Sequence, residues 1–332
     1  MNKKCVGCGL ELQSIDNLKE GYIKPGNKEK SPLCERCFRI QNYNEYQVVN
    51  KTNKDFSKIF KKVDKSKDLV LLVVDLLNIG ELERLGEYIH NDIILVLTKR
   101  DLVPKRIYEE KLLNYFDSLP LNIVDKIIIS SKNNYHLDEL MEIVFEHKKS
   151  NNVYVVGITN AGKSTLINKI IYNYSILESK ITTSILPSTT LDTIEIPISE
   201  DLTFIDTPGL LVETSIVDKV DPETLRKIIP KTELKPTIFQ VKSDQIFLVD
   251  NLLRLEVKED NNIVFYISNN LSIMRYYKDN EKLKDLVKHE LTISEVEDIV
   301  IEGLGFIKVM KPAIITLYTL ENVGVYIRKS FL

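Results

Sequence analysis

The chain has 332 residues, enough for two or three domains, and its 43% hydrophobic and 28% charged residues are an ordinary globular balance. With 45 Lys and Arg against 48 Asp and Glu the net charge is −3, which excludes a globally basic nucleic-acid binder and leaves only a local patch for such contacts. The longest apolar run, LVLLVV at 69–74, is far too short to span a membrane, and the start MNKKCVGCGL has no apolar signal core, so a cytoplasmic protein with reduced thiols and no membrane contact is expected.

All four cysteines lie near the start, as Cys5-Val-Gly-Cys8 and Cys34-Glu-Arg-Cys37, two C-x-x-C pairs with 25 residues between them. Each pair can set two thiolates on one tight turn, and two such turns can close a tetrahedron around zinc. The alternatives are free thiols or two disulfides, and a reducing cytosol disfavours the disulfides. No histidine lies in the first 50 residues to suggest an open, catalytic coordination position. So small a module has little core, and metal binding would supply its folding energy. Lys3, Lys4, Lys24, Lys28, Lys30, Arg36 and Arg39 surround it, as an RNA-facing surface or as an ordinary solvated face.

DIILVLTKRDLVP (92–104) reads as a strand ending in Thr98-Lys99-Arg100-Asp101. This resembles the guanine-specificity motif of GTPases, in which a carboxylate, here Asp101, accepts from guanine N1–H and the N2 amino group, a donor pair that adenine lacks. The Lys99 stem can lie over the base. DKIIISSKNN (125–134) is a further strand, ending in Ser130-Ser131-Lys132, similar to a second base-recognition motif that works through a backbone NH. HLDELMEIVFEHKK (136–149) reads as a helix running into the next strand.

NNVYVVGITNAGKSTLINKII (151–171) reads as strand, loop and amphipathic helix, with Gly157-x-x-x-x-Gly162-Lys163-Ser164 matching the phosphate-binding P-loop in full. Backbone NH groups across Asn160, Ala161, Gly162 and on to Thr165 would point at phosphate oxygens at a helix N-terminus. Lys163 would reach the β- and γ-phosphates, and Ser164 would offer its hydroxyl to Mg²⁺. PSTTLDTIEI (187–196) is polar and threonine-rich, and Thr189 or Thr190 either completes the Mg²⁺ shell or is an ordinary loop residue. DLTFIDTPGL (201–210) is a strand ending in Asp206-Thr207-Pro208-Gly209, where Asp206 can hold Mg²⁺ through water and the Gly209 NH can sense the γ-phosphate.

Beyond 216 the pattern turns β-rich. DPETLRKII (221–229) reads as a short helix; PTIFQV, QIFLVD, LLRLEV and IVFYIS read as strands; NEKLKDLVKHE (280–290) reads as a helix; and the remainder reads as more strands with Gly turns. No constellation of acid, base or metal ligands stands out in this stretch, which suits a packing or interaction domain.

The motif order is inverted: in the usual GTPase the base motifs follow the P-loop, whereas here they precede it. The expected fold is therefore an α/β, circularly permuted P-loop GTPase domain with a small N-terminal zinc finger and a β-rich C-terminal domain, divided at 1–48, 49–217 and 218–332. Permutation is sterically cheap where chain termini lie close together, and a ligand site at the carboxyl edge of the parallel sheet should survive it.

A four-cysteine module ahead of TKRD, SSK, GITNAGKS, PSTTLDTIEIP and DTPG resembles the YqeH family of ribosome-biogenesis GTPases, and a weaker match extends to EDIVIEGLGFIKV (297–309). Ser188 and Ser131 depart from the family's usual Gly and Ala. The resemblance implies GTP hydrolysis to GDP coupled to small (30S) ribosomal subunit assembly, through ribosomal RNA or the pre-ribosome. The sequence does not fix the oligomeric state, and a monomer is the expectation. The resemblance selects Thr190 over Thr189 as the Mg²⁺ ligand, and Lys163, Thr190 and Gly209 as the residues around the reacting phosphate. Leu210 stands where Ras-like enzymes carry a catalytic glutamine, which implies slow intrinsic turnover. Asn160 matches an asparagine that ligates K⁺ in potassium-stimulated relatives, or else merely caps its loop. Two other readings stay open: an RNA- or ribosome-binding scaffold with structural GTP, and an ATPase.

Overall fold

The structure is a computed structural model that describes residues 3, 5, 11–15, 21–25, 33–35, 53–80, 82, 88–158, 160–174, 186–187, 193–209, 214–277 and 281–332. It divides into two compact units: residues 1–100 with 118–211, and residues 101–117 with 212–332. Among the described residues no helix is long and apolar enough to cross a membrane.

In the first unit, helix α1 (Asn53–Ser66) leads into β1 (Leu69–Asp75), followed by β2 (Ile93–Thr98), β3 (Ile123–Ile128), helix α3 (Leu137–His147), β4 (Asn152–Gly157), helix α4 (Lys163–Tyr174), β5 (Leu186–Pro187), β6 (Ile194–Ser199) and β7 (Leu202–Asp206). Helix α2 (Glu109–Asn114) lies between β2 and β3 in the chain but belongs to the second unit. The seven strands form one sheet in the order β3-β2-β1-β4-β7-β6-β5. From β3 to β7 neighbours run parallel; β6 is antiparallel to β7, and β5 to β6.

The sequence explains these positions. Strands β1 and β2 are apolar and buried throughout, as parallel strands covered on both faces must be. Strand β6 alternates buried with exposed or half-buried residues, the pattern of a strand nearer the edge. The two strands with base motifs, β2 and β3, end on one side of β4, and β7 ends on the other, so the strands leading into TKRD, SSK, the P-loop and DTPG share the carboxyl edge of one sheet.

The second unit holds helix α5 (Pro222–Ile228) and strands β8 (Thr237–Val241), β9 (Gln245–Val249), β10 (Leu253–Val257), β11 (Asn261–Ile267), β12 (Ile273–Tyr276), β13 (Val287–Ile293), β14 (Glu297–Ile301), β15 (Gly305–Val309), β16 (Ala313–Thr319) and β17 (Val325–Lys329). Asp221 caps α5, accepting from the backbone N–H of Glu223 at 2.9 Å and of Thr224 at 3.1 Å, with Pro222 next, where its missing N–H costs nothing. The strands make two five-stranded antiparallel sheets, β12-β9-β10-β16-β13 and β17-β14-β15-β11-β8. They share one core, in which the rings of Phe239 on β8 and Phe247 on β9 are 4.8 Å apart.

The helix expected over 280–290 does not form among the described residues 281–290: turns lead into β13, which pairs along its whole length with β16. Leu283 has φ +60°, which a right-handed helix cannot hold. The Leu and Lys spacing mimics a helical face, but the inward residues are His289, Leu291 and Ile293, alternating as a strand requires, and pairing with β16 overrides local propensity.

Two further attachments complete this unit. After the DTPG strand the chain re-enters at Thr214–Ile216, where Gly324 N–H donates to Thr214 O (2.8 Å) and Ile216 N–H to Glu302 O (2.8 Å). The Thr214 hydroxyl also meets the Glu302 carboxylate. Segment 101–117 joins through Leu234 N–H to Leu102 O (2.9 Å) and through the rings of Tyr115 and Phe331, 5.0 Å apart. Phe331 is itself held by its N–H donating to the buried Asp298 carboxylate at 3.0 Å.

Candidate nucleotide site

The phosphate loop joins β4 to α4, and its glycines serve two different needs. At Gly157 the register sets Val73 of β1 alongside, and a Cβ there would lie 2.6 Å from the Val73 carbonyl oxygen. At Gly162 the need is conformational, since φ is +89° where the chain turns into α4. Asn160, exposed in the same loop, has φ +66°, a conformation that asparagine tolerates better than most residues. Helix α4 anchors the loop by burying Leu166, Ile167, Ile170 and Ile171. Ser164 is half-buried at the helix start and Thr165 is exposed.

Lys163 is only 4% exposed, and its Nζ donates to Asp206 Oδ1 at 2.6 Å and to the Thr207 carbonyl. Asp206, 1% exposed, ends β7 directly beside β4, with Val155 as its register partner. The Thr207 hydroxyl donates to Val155 O at 2.9 Å and fixes the turn into Pro208 and Gly209, both buried. The P-loop lysine and the DTPG carboxylate therefore meet at one point. A serine hydroxyl and a carboxylate, Ser164 and Asp206, are the oxygen donors a hard divalent cation such as Mg²⁺ takes.

The base motifs approach from the other side. Thr98, 2% exposed, has its hydroxyl 2.5 Å from Ala161 O and 3.2 Å from Val74 O, so its single proton ties β2 to the phosphate loop. Lys99 has φ +63° and its Nζ is 2.8 Å from Asp75 Oδ2 at the end of β1. Arg100 N–H donates to Ile129 O at 3.1 Å, tying the TKRD turn to the end of β3. There Ser130, 1% exposed, exchanges backbone hydrogen bonds with Tyr135 at 3.2 and 3.0 Å, closing a tight loop with Ser131 half-buried and Lys132 exposed. The far end of α4 holds the same region: Asn173 Nδ2 donates to Asn134 Oδ1 at 3.3 Å and the Tyr174 hydroxyl to Asp138 Oδ1 at 2.5 Å. Burial, and then the Asp138 carboxylate, push the Tyr174 phenol up to about 12.

Asp101 is the first residue of the stretch that belongs to the second unit. Thr190, Leu210, Cys8 and Cys37 lie outside the described residues. Cys5 and Cys34, one from each C-x-x-C pair, are both 1% exposed, and the Cys34 N–H donates to Cys5 Sγ at 3.2 Å. Among the described residues no group of three or more His, Cys, Asp or Glu gathers as a metal site. Sequence reasoning missed Asp75, although an acid closing the apolar run LVLLVVD was a visible signal.

A mostly parallel sheet with a P-loop between β4 and α4, and an acid-ended strand beside it, defines a P-loop GTPase domain. The family model described as 50S ribosome-binding GTPase matches residues 152–270, and the one described as YqeH-like, C-terminal matches residues 275–331. The chain is 33% identical to the uncharacterized protein YqeH of Bacillus subtilis, with 99% of each chain covered. It therefore belongs to the YqeH-like GTPase family, and it binds GTP and GDP and hydrolyses GTP. More distant relatives are a putative nitric oxide synthase of Oryza sativa (24% identical, 75% of this chain and 52% of that one) and GTPase Der of Caldanaerobacter subterraneus (27% identical, 54% and 43%).

Proposed function

We propose that this GTPase is a circularly permuted, cytoplasmic switch protein that assists assembly of the small ribosomal subunit by binding ribosomal RNA or the pre-ribosome. The observation that carries the permuted reading is the position of β4. It lies between β1 and β7 in the sheet, while the strands with TKRD and SSK precede it in the chain. The match to the GTPase model also begins at residue 152, the first residue of β4.

In this reading Asp101 selects guanine, assisted by Lys99 and by the backbone of Ser130, Ser131 and Lys132. Backbone NH groups from Asn160 to Thr165 cradle the phosphates, and Lys163 leaves Asp206 to reach the β- and γ-oxygens. Ser164, Thr190 and Asp206 would hold Mg²⁺, which when bound would neutralise charge on the phosphate oxygens. Gly209 reports the γ-phosphate through its NH. With Leu210 in place of a glutamine, water is oriented by another route and turnover is slow. K⁺ at Asn160 would supply the positive charge that an arginine finger gives elsewhere.

Cys5, Cys8, Cys34 and Cys37 hold a structural zinc. The meeting of Cys5 and Cys34, with an N–H donated to sulfur, supports a thiolate site. Metal analysis of the purified protein should find one zinc per chain, and none would remove this module from the reading.

Co-sedimentation with isolated small and large ribosomal subunits under GTP, GDP and no nucleotide tests the assembly role. Nucleotide-dependent binding to small subunits supports it. Binding to large subunits alone, in line with the wording of the GTPase family model, would overturn it.

A further inference from the structure

We infer that Asp75 is a positioning residue for guanine-nucleotide binding, acting through Lys99. The inference rests on TKRD being the base motif. Asp75 closes β1 and pairs in register with Thr98, so its carboxylate stands beside the motif's first residue, at the same sheet edge as the phosphate loop. Both of its oxygens are committed. Oδ1 accepts the Leu77 N–H at 2.9 Å, and Oδ2 accepts from Lys99 Nζ at 2.8 Å. The Asp75 side chain is 11% exposed and that of Lys99 31%, so the carboxylate is largely shielded and the contact is only partly open to water.

The turn that carries Asp75 is itself fixed at the site. Leu76 N–H donates to Thr98 O at 3.3 Å, and Asn78 N–H to Asp75 O at 3.0 Å. At Gly80, φ is +68° and a Cβ would lie 2.8 Å from Ile158 Cδ1 in the phosphate loop. Lys99 is thus held at both ends: its backbone is in the left-handed region and its ammonium is on a fixed carboxylate. A lysine stem free in solution has several rotatable bonds to order when a base arrives. Here they are ordered beforehand, and the ammonium charge is already matched. Lys99 then offers a base its methylene face and not a loose cation. Nucleotide affinity gains because the ordering cost does not fall on the binding step.

Isothermal titration with GDP and steady-state GTP hydrolysis test this. Asp75→Ala should weaken GDP binding about tenfold and raise KM for GTP by a similar factor, with kcat changed less than about twofold, because Asp75 stands at the base end. Asp75→Glu should recover most of the affinity, which a purely structural role would not predict. If Asp75→Ala does not fold, Asp75→Asn keeps the shape and the turn and still removes the charge. The double variant Asp75→Ala/Lys99→Met should bind GDP no more weakly than the weaker single variant. Parent-like GDP affinity in Asp75→Ala or Asp75→Asn, or full additivity in the double variant, would overturn the inference. Asp101→Asn separates it from the reading beneath. If that variant shifts selection toward xanthosine nucleotides while Asp75→Ala binds GDP normally, only the positioning role fails. If that variant leaves selection unchanged, the base-motif reading itself fails.

Discussion

Thr98 on β2 donates its hydroxyl to the carbonyl of Ala161, 2.5 Å away, so a residue of the base motif and a residue of the phosphate loop share one hydrogen bond across 63 positions of sequence. Thr98→Val keeps the shape and removes the donor. It should cost about 1–2 kcal/mol in urea unfolding, because the Ala161 carbonyl loses its partner in a buried place. GDP binding should weaken as well, since both motifs depend on the bond.

The two P-loop glycines should fail in different ways. Gly157→Ala drives a Cβ to 2.6 Å from the Val73 carbonyl oxygen, a backbone atom that cannot swing aside, and β1 and β4 must part. Gly162→Ala meets nothing closer than the Thr98 hydroxyl at 3.5 Å and suffers only from φ +89°. Thermal melting of the nucleotide-free proteins should show the larger loss for Gly157→Ala, about 1–3 kcal/mol. GTP turnover should fall in both.

Asp206 and Lys163 are buried together, 1% and 4% exposed. Removing the carboxylate leaves the buried ammonium without its counter-charge, though still donating to the Thr207 carbonyl, so Asp206→Ala should destabilise the protein by about 3 kcal/mol and abolish Mg²⁺-dependent hydrolysis. Asp206→Asn, which still accepts from the ammonium, should regain part of the stability without regaining turnover. Urea midpoints and single-turnover assays separate the two effects.

His289 on β13 faces Leu317 of β16, and burial pushes its imidazole below the usual 6.5. The unfolded chain then takes up the proton more readily than the folded one. The stability His289 contributes is full above about pH 6.5 and is lost as pH falls from there toward the folded value. Urea midpoints at about pH 7.5, 6.5 and 5.5 should fall more steeply in the parent than in His289→Gln.

Much of this was legible because the signals are local. A phosphate loop needs its glycines at fixed spacing, and a strand ending in DTPG carries its pattern within ten residues. Three features were not. Residues 280–290 hold a helix-like spacing, and only the partner strand β16 decides otherwise. Asp75 has no motif around it, since its role depends on a lysine 24 positions later. The grouping of 101–117 with the C-terminal unit rests on Leu234 and Phe331, which nothing near Leu102, Tyr115 or Phe116 announces.

That last contact has a consequence for biosynthesis. Phe116 packs against Phe331, ring centroids 6.0 Å apart, and the second ring comes 215 positions later in the chain. At 5–20 residues per second, the ribosome needs roughly 10–40 s to make the second ring after the first. Throughout that interval Tyr115 and Phe116 are on the nascent chain without their aromatic partner. The early part of this chain is therefore an expected client for a ribosome-associated chaperone, and Phe331→Ala should extend that dependence into the finished protein.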